Sequence, residues 1–249
     1  MEHNLDLTVD VHLDDRWSIG GKPHGGYLLR QLAEPVLTET HPHPMAVSAH
    51  FVRSPGPGPA TVTVETLRTG RRVANSRARM SQGGEVCVEA LITTGRYDAD
   101  ATPFWTDATR PPELLPVEEC VASLAEREDG FRIGHLDFVD MRLDLSSYDT
   151  PGAEVRCWLR RTDEAPATMT DLLVFADALP PVTFGLGLTG WVPTVELTVL
   201  VRGIPAPGWL RAVQRATLLQ DGWLDEECLI WDSQDRLVVQ ARQLAGYRA

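Results

Sequence analysis

The densest run of apolar positions is the segment 168–187, which reads TMTDLLVFADALPPVTFGLG. From Asp171 to Pro180 its side chains are apolar nearly all round, a pattern typical of a helix buried inside its protein. Thr168 supplies N-cap chemistry at the start, and Pro180 ends the helix because it disfavours the helical conformation in the residue before it. One acid, Asp177, is predicted in the last turn of this helix, where the helix dipole disfavours negative charge.

A second helix is predicted over Tyr27–Val36, directly after a loop rich in glycine. The loop lacks the GxGxxG spacing of a dinucleotide-binding turn, and no βαβ unit surrounds it. A further short helix is predicted over Cys120–Glu128.

Alternation of apolar and polar residues predicts long antiparallel strands after each of the two main helices. In the first half these strands lie between residues 46 and 95, with turns near 56–59, 69–70 and 82–84. In the second half they lie between residues 194 and 246, with turns near 205–208, 220–222 and 233–235. Shorter strands are predicted over Leu5–Leu13, Phe138–Leu145 and Ala153–Arg160.

The order of strand, helix and long meander therefore occurs twice, which predicts an internal duplication. A helix that is apolar all round needs a strongly curved antiparallel sheet to enclose it. The predicted fold is α+β, a double hotdog in which two antiparallel sheets each wrap around a central helix. The predicted units are an N-terminal hotdog over residues 1–97, an extended linker over 98–128 and a C-terminal hotdog over 129–249.

Composition disfavours several classes of function. A formal net charge of −12 argues against nucleic acid or an anionic membrane as the main partner. The acidic start lacks the basic and apolar regions of a signal peptide, and no apolar run is long enough to span a membrane, so a cytoplasmic protein is expected. The four cysteines form no CxxC pair, and neither HxxxH, HExxH nor GxSxG spacing occurs, which disfavours a metal site and a serine nucleophile.

Several short motifs carry a resemblance to a known family. They are HGGY before the first helix, HFVRSPGPG followed by VETLRTGR, and DMRL, VRCWLR and LLVFADALPP in the second half. Over nearly its whole length the chain resembles the acyl-CoA thioesterase II family, double-hotdog enzymes that hydrolyse fatty acyl-CoA. The resemblance implies an acyl-CoA substrate, a role in fatty acid metabolism and a homodimer or larger homo-oligomer. Hydrolysis of this kind requires no metal or redox cofactor.

Members of that family use an Asp, a Thr or Ser and a Gln to hold and activate a water, and the matching residues here are Asp177, Thr194 and Gln243. Without the family, Asp177 is either a general base or an acid that caps a loop amide. Gln243 shares strand parity with the apolar Val239 and points inward, where a purely structural role is the alternative. Thr194 alternates with the polar Glu196 and therefore lies on the outward face of its strand. It reaches the site only if the strand bends, which Pro193 permits.

The first half lacks an evident acid in its helix, so one active site per chain is expected. His24, Gly25 and Gly26 start that helix, and free N–H groups at a positive dipole end suit a thioester oxygen on which charge develops. The alternative is a loop that needs glycine for positive φ, with His24 as a wall residue. Arg71 and Arg72 belong to an arginine-rich segment that either meets the phosphates of CoA or forms a solvated strand face.

Two other functions stay open on this fold. A non-catalytic acyl-CoA binding protein would have the same architecture with a degenerate site. An enoyl-CoA hydratase or dehydratase would need an Asp–His pair on one active-site segment, and no histidine stands beside Asp177 in the sequence.

Overall fold

The computed structural model describes residues 7–106, 110–148 and 152–247. The elements of the first half are β1 (Leu7–Leu13), β2 (Ser18–Ile19), β3 (Lys22–Pro23), α1 (Gly25–Ala33), β4 (His43–Phe51), β5 (Gly58–Thr69), β6 (Val73–Gln82) and β7 (Glu85–Gly95). Those that follow are β8 (Val121–Ala122), β9 (Val139–Leu143), β10 (Glu154–Arg161), α2 (Asp171–Phe175), β11 (Thr194–Val201), β12 (Leu210–Arg215), β13 (Leu219–Gln220), β14 (Trp223–Trp231) and β15 (Leu237–Gly246). Short 3₁₀ segments cover Asp15–Trp17, Glu34–Val36, Gly134–Asp137, Leu145–Tyr148 and Val182–Leu186. Leu5 and Asp6 of the predicted first strand lie outside the described residues.

A continuous antiparallel sheet links the two halves of the described chain. Its strand order is β1-β5-β6-β7-β4-β11-β15-β14-β12-β10-β9-β8, with β13 paired to β14. The halves meet where β4 pairs with β11, which places Val47 opposite Val199. On the inner side, α1 contacts β4, β6 and β7, and α2 contacts β11. The structure confirms the predicted α+β double hotdog.

The two helices pack against each other at the centre of the core. Leu29 and Leu32 of α1 and Leu172 and Leu173 of α2 are completely buried. A Cβ on Gly26 would lie 2.7 Å from the Leu173 carbonyl oxygen and 2.9 Å from the Val174 Cα. A glycine is therefore required at this position for the helices to approach so closely.

The buried helix of the second half is shorter than predicted. It ends at Phe175, and the following amides of Asp177 and Ala178 bond to the carbonyls three residues earlier, those of Val174 and Phe175. The chain therefore tightens into a turn before Pro180, as helix ends commonly do. The predicted position of Asp177 in the last helical turn is wrong, because the residue lies just beyond the helix.

Side-chain hydrogen bonds lie at the start of both helices, although the side chain of Thr170, the residue directly before α2, caps no backbone N–H. Thr168 Oγ1 accepts the Asp171 N–H at 3.1 Å while Asp171 Oδ2 accepts the Thr168 N–H at 2.8 Å, so the predicted capping role of Thr168 is confirmed. In α1, His24 is the N-cap residue and its Nδ1 accepts the Tyr27 N–H at 3.2 Å. The first helix therefore starts at Gly25, two residues earlier than predicted.

The segment between the halves packs along the second half. Leu115 accepts a hydrogen bond from Trp158 Nε1 at 3.0 Å and donates its N–H to Asp144 Oδ2 at 3.1 Å. The prediction of a helix over Cys120–Glu128 is wrong, because Val121 and Ala122 form β8 and pair with β9. The division into units at residues 1–97, 98–128 and 129–249 stays a proposal. No helix among the described residues is long and apolar enough to cross a membrane.

Candidate active site

Asp177 projects from the turn after α2 towards the start of α1. Its Oδ2 accepts the Gly26 N–H at 2.8 Å, and its side chain is 11% exposed. Oδ1 has no hydrogen-bond donor among the described residues, so a water molecule or substrate can reach it. Burial raises the pKa of the Asp177 carboxyl, while the nearby His24 and the Gly26 amide act in the opposite direction.

Gly25 and Gly26 have separate roles at this helix start. A Cβ on Gly25 would lie 2.7 Å from Asp177 Oδ2, so glycine leaves room for the carboxylate. The Gly26 N–H is already donated to Asp177, and only the Gly25 N–H remains without an acceptor among the described residues. Positive φ angles occur at Gly20 and Gly21, not at Gly25 or Gly26, so the alternative explanation through backbone conformation is wrong for this pair.

Two stacked imidazoles hold the turn that carries Asp177. His24 Nδ1 accepts the Tyr27 N–H, so the proton is on Nε2, which donates to the Asp177 carbonyl oxygen at 2.8 Å and lies 3.4 Å from Oδ2. His135 stacks on His24 at 4.4 Å between ring centroids and bonds through Nε2 to the Ala178 carbonyl oxygen at 3.2 Å. The fold therefore brings a histidine beside Asp177 from a distant segment, although none stands beside it in the sequence. No motif or alternation pattern in the sequence indicated that His135 would lie at this site.

Thr194 and Gln243 form a second group of polar side chains. Thr194 Oγ1 donates to Gln243 Oε1 at 2.8 Å, and Gln243 Nε2 donates to Glu226 Oε2. A register shift between Thr194 and Glu196 interrupts the pairing of β11 with β15. This β-bulge supplies the bend that Thr194 needs to leave the outward parity of its strand.

Glu226 is a residue of this group that the sequence analysis missed. It is 2% exposed on β14, and its Oε1 accepts the Val182 N–H at 2.8 Å. Burial raises its pKa, the bonds from Val182 and Gln243 oppose the rise, and the charge on Asp177 adds to it. The available signal was strand parity, because Glu226 alternates with the inward-facing Leu224 and Cys228.

A narrow cleft lies beside the second group. Ala176, Glu226 and Gln243 line it, and Asp177 follows Ala176 in the chain. The electrostatic influence of Asp177 on Glu226 reflects the same proximity. No hydrogen bond joins Asp177 directly to Thr194 or Gln243 among the described residues.

Arg71 and Arg72 lie far from this cleft. They are exposed in the turn between β5 and β6. Arg72 lies next to Gly95, since a Cβ added to Gly95 would be 3.0 Å from the Arg72 carbonyl oxygen. Gly95 pairs with the first residue of β4, whereas Phe51, the last residue of β4, approaches Gly25. Within one chain the structure does not bring these arginines together with Asp177.

A separate cavity of about 270 Å³ borders α2 at Asp171, Val174 and Phe175. Its lining includes Trp17 and Phe138, which stack at 4.1 Å, and the buried Asp171. Both Asp171 oxygens are occupied, by Arg30 at 3.1 Å and by Arg161 at 3.0 Å. This carboxylate is therefore unavailable as a base. Within the described ranges no group of three or more His, Cys, Asp or Glu residues could hold a metal ion.

Comparisons with known proteins agree with this architecture. An acyl-CoA thioesterase N-terminal domain model matches residues 13–95, and an acyl-CoA thioesterase C-terminal domain model matches residues 112–247. An uncharacterized protein of Mycobacterium tuberculosis is 32% identical over 263 residues, which cover 96% of this chain and 90% of that protein.

Solved structures are similar over the same length. A candidate thioesterase II from Thermobifida fusca is 32% identical with a TM-score of 0.86, covering 97% of this chain and 92% of that one. A hotdog-fold protein of unknown function from Alicyclobacillus acidocaldarius is 20% identical with a TM-score of 0.83, covers 100% of this chain and 95% of that one, and shows the fold alone. Since the two family models together span most of the chain, the chain belongs to the acyl-CoA thioesterase family.

Proposed function

We propose that the chain hydrolyses an acyl-CoA thioester to a free acid and CoA. The observation that carries this proposal is the Asp177 carboxylate, which is held by one oxygen on the Gly26 amide and keeps the other oxygen free. A raised pKa, here caused by burial, makes a carboxylate a stronger base than one in water. Family membership supports acyl-CoA as the substrate class.

In the proposed mechanism, Asp177 Oδ1 takes a proton from a water molecule as the water oxygen attacks the thioester carbonyl carbon. Thr194 and Gln243 orient that water through their own polar atoms. The Gly25 N–H, at the positive end of α1, stabilises the negative charge that develops on the carbonyl oxygen. Collapse of the tetrahedral intermediate breaks the C–S bond, and the CoA thiolate takes the proton back from Asp177.

Thiol release from a panel of acyl-CoAs tests the proposal directly. Asp177→Asn keeps an acceptor for the Gly26 N–H but removes the base, so we expect the rate to fall by roughly two orders of magnitude or more. Asp221→Asn is a matched control, because Asp221 is an exposed turn residue whose positive φ asparagine tolerates. An unchanged rate in Asp177→Asn would remove Asp177 as the base.

The hydratase or dehydratase alternative has one observation in its favour, the 3.4 Å approach of His24 to Asp177. Both ring nitrogens of His24 are occupied, one by the Tyr27 N–H and one by the Asp177 carbonyl oxygen. His24 therefore has no free nitrogen to exchange a proton with a substrate, and hydrolysis is the better supported reaction. Binding of acyl-CoA without thiol release would instead indicate the non-catalytic binding protein.

Several features implied by the family resemblance stay predictions. They are the contact of Arg71 and Arg72 with CoA phosphates, the homodimer or larger assembly, and the cytoplasmic role in fatty acid metabolism.

A further inference from the structure

We propose that Glu226 is a positioning residue that sets the orientation of the Gln243 amide and, through it, the direction of every hydrogen bond around the attacking water. The inference rests on the proposed hydrolysis and adds to it a residue outside the three that the family resemblance supplied. It stands on the contacts of Glu226 and on its burial.

The contacts of Glu226 leave the Gln243 amide one orientation. A carboxylate only accepts hydrogen bonds, so the Gln243 side chain must present Nε2 to Glu226. Gln243 Oε1 then faces Thr194, whose hydroxyl donates to it at 2.8 Å. Without Glu226, the amide could rotate by half a turn and exchange its donor and acceptor.

This orientation determines what the cleft offers to a water. Because the Thr194 hydroxyl proton is used by Gln243, Thr194 Oγ1 can only accept from the water. The second N–H of Gln243 can only donate to it, and Asp177 Oδ1 can only accept. A water bound in this way donates both protons, accepts one, and keeps one lone pair free to attack the thioester carbonyl carbon.

The burial of Glu226 supports a role beyond folding. A carboxylate at 2% exposure is costly in an otherwise apolar strand face, where its inward neighbours on β14 are Leu224, Cys228 and Ile230. An apolar side chain would suit that face better. The chain instead supplies donors to Glu226 from the Val182 N–H and from Gln243, and the Gln214 side chain also hydrogen-bonds to it.

The test is Glu226→Gln in the full chain, with kcat and KM measured by thiol release. In this variant the Val182 N–H still donates to the side-chain oxygen at position 226. The new amide nitrogen at position 226 then faces Nε2 of Gln243, and two donors repel each other. The Gln243 amide must therefore rotate. We expect kcat to fall on the order of tenfold, the effect of one lost hydrogen bond, with KM within about twofold of the wild-type value. Glu227→Gln removes the same charge from the exposed neighbouring position of β14 and should leave both constants unchanged.

A charge exchange separates positioning from a general loss of structure. In Glu226→Gln combined with Gln243→Glu, the introduced amide at position 226 donates to the introduced carboxylate at position 243. That carboxylate again accepts from Thr194, so stability to urea should recover relative to Glu226→Gln alone. It has no N–H to donate to the water, so kcat should stay no higher than in Glu226→Gln. If Glu226→Gln fails to fold, Glu226→Asp, which withdraws the carboxylate by one methylene, must show the fall in kcat.

The outcomes distinguish this inference from the proposed function. If the wild type releases thiol and folded Glu226→Gln is equally active, the role of Glu226 is overturned while the proposed hydrolysis stands. An increase in KM with unchanged kcat also overturns it, because the residue would then affect substrate binding. A folded wild-type protein that releases no thiol overturns the proposed function and this inference together.

Discussion

The carboxylate of Asp177 is subject to opposing influences. Burial disfavours its charged form, whereas His24 and the Gly26 N–H favour it, and burial is the larger influence because the net effect is a raised pKa. Its Oδ2 is bound, so Oδ1 is the atom that can exchange a proton with a ligand. Nearby Glu226 is also buried, which raises its pKa, and the negative charge on Asp177 adds to that rise, so the two charges interact.

The pH dependence of the rate should show this coupling. A base works only when ionised, so kcat/KM should rise with pH through the pKa of Asp177, which lies above the ordinary value of 3.8. In Glu226→Gln one negative charge is gone and Asp177 ionises more easily, so the rising limb should move to lower pH. Rate profiles of the two proteins from about pH 4 to 8 make the comparison, with Glu227→Gln as the unchanged control. A limb at the same pH in all three would contradict the coupling.

Among single residues, the sequence predicted those that a motif or strand parity identifies. Asp177 stands out as the one acid among apolar neighbours, and Gln243 stands out by its inward parity. Glu226 has the same inward parity as Leu224 and Cys228, but it stands between the acids Asp225 and Glu227, and its partners Val182 and Gln243 come from other segments. The Asp–His approach was missed because 153 residues separate His24 from Asp177.

Among the elements, the start of α1 has two functions that depend on adjacent glycines. Gly26 faces the backbone of α2, since its added Cβ would meet the Leu173 carbonyl oxygen and the Val174 Cα. Gly25 faces the Asp177 carboxylate and the ring of Phe51. One glycine therefore allows the two helices to pack, and the other leaves room for the base.

Alanine at each glycine should separate stability from activity. Gly26→Ala drives a methyl into rigid backbone, so we expect the free energy of unfolding to fall by about 1–3 kcal/mol. Gly25→Ala meets the movable Asp177 carboxylate and, at 3.3 Å, the edge of the Phe51 ring, with no backbone atom in the way. We expect stability within about 0.5 kcal/mol of wild type, since alanine is also a better helix former. Its rate of thiol release should fall roughly tenfold to a hundredfold because Asp177 is displaced. Urea unfolding and thiol release measure the two effects, and equal losses of stability in both variants would contradict this division.

Across the whole molecule, the site is assembled from both halves of a continuous sheet. The Gly26 amide and His24 come from the first half, and Asp177, Thr194, Gln243 and Glu226 come from the second. Alternation and turn residues predicted the duplicated order of strands, because those signals are local. They could not predict that β4 would join β11, or that the start of α1 would meet the end of α2, since both contacts depend on long-range packing.

His135 connects the packing of the two halves to the stability of the whole chain. Burial holds the pKa of His135 well below the ordinary value of 6.5, and the neighbouring His24 lowers it further, so the ring stays neutral in the folded protein. The unfolded chain binds a proton at this histidine below about pH 6.5 and the folded chain does not. The free energy of unfolding should therefore fall with decreasing pH, by up to about 1.4 kcal/mol per pH unit for this one group.

His135→Gln removes that proton uptake while its amide nitrogen can still donate to the Ala178 carbonyl oxygen. Urea unfolding measures the free energy of unfolding at about pH 7.5 and 5.5. Between these pH values the wild type should lose about 1.4 kcal/mol more of this free energy than His135→Gln. His12→Gln changes an exposed histidine on β1 and should keep the wild-type dependence on pH. Equal losses in the wild type and His135→Gln would mean that His135 takes up a proton within the folded protein. His135 stacks on His24, and both rings hold the turn that carries Asp177. We therefore expect His135→Gln to release thiol more slowly than the wild type.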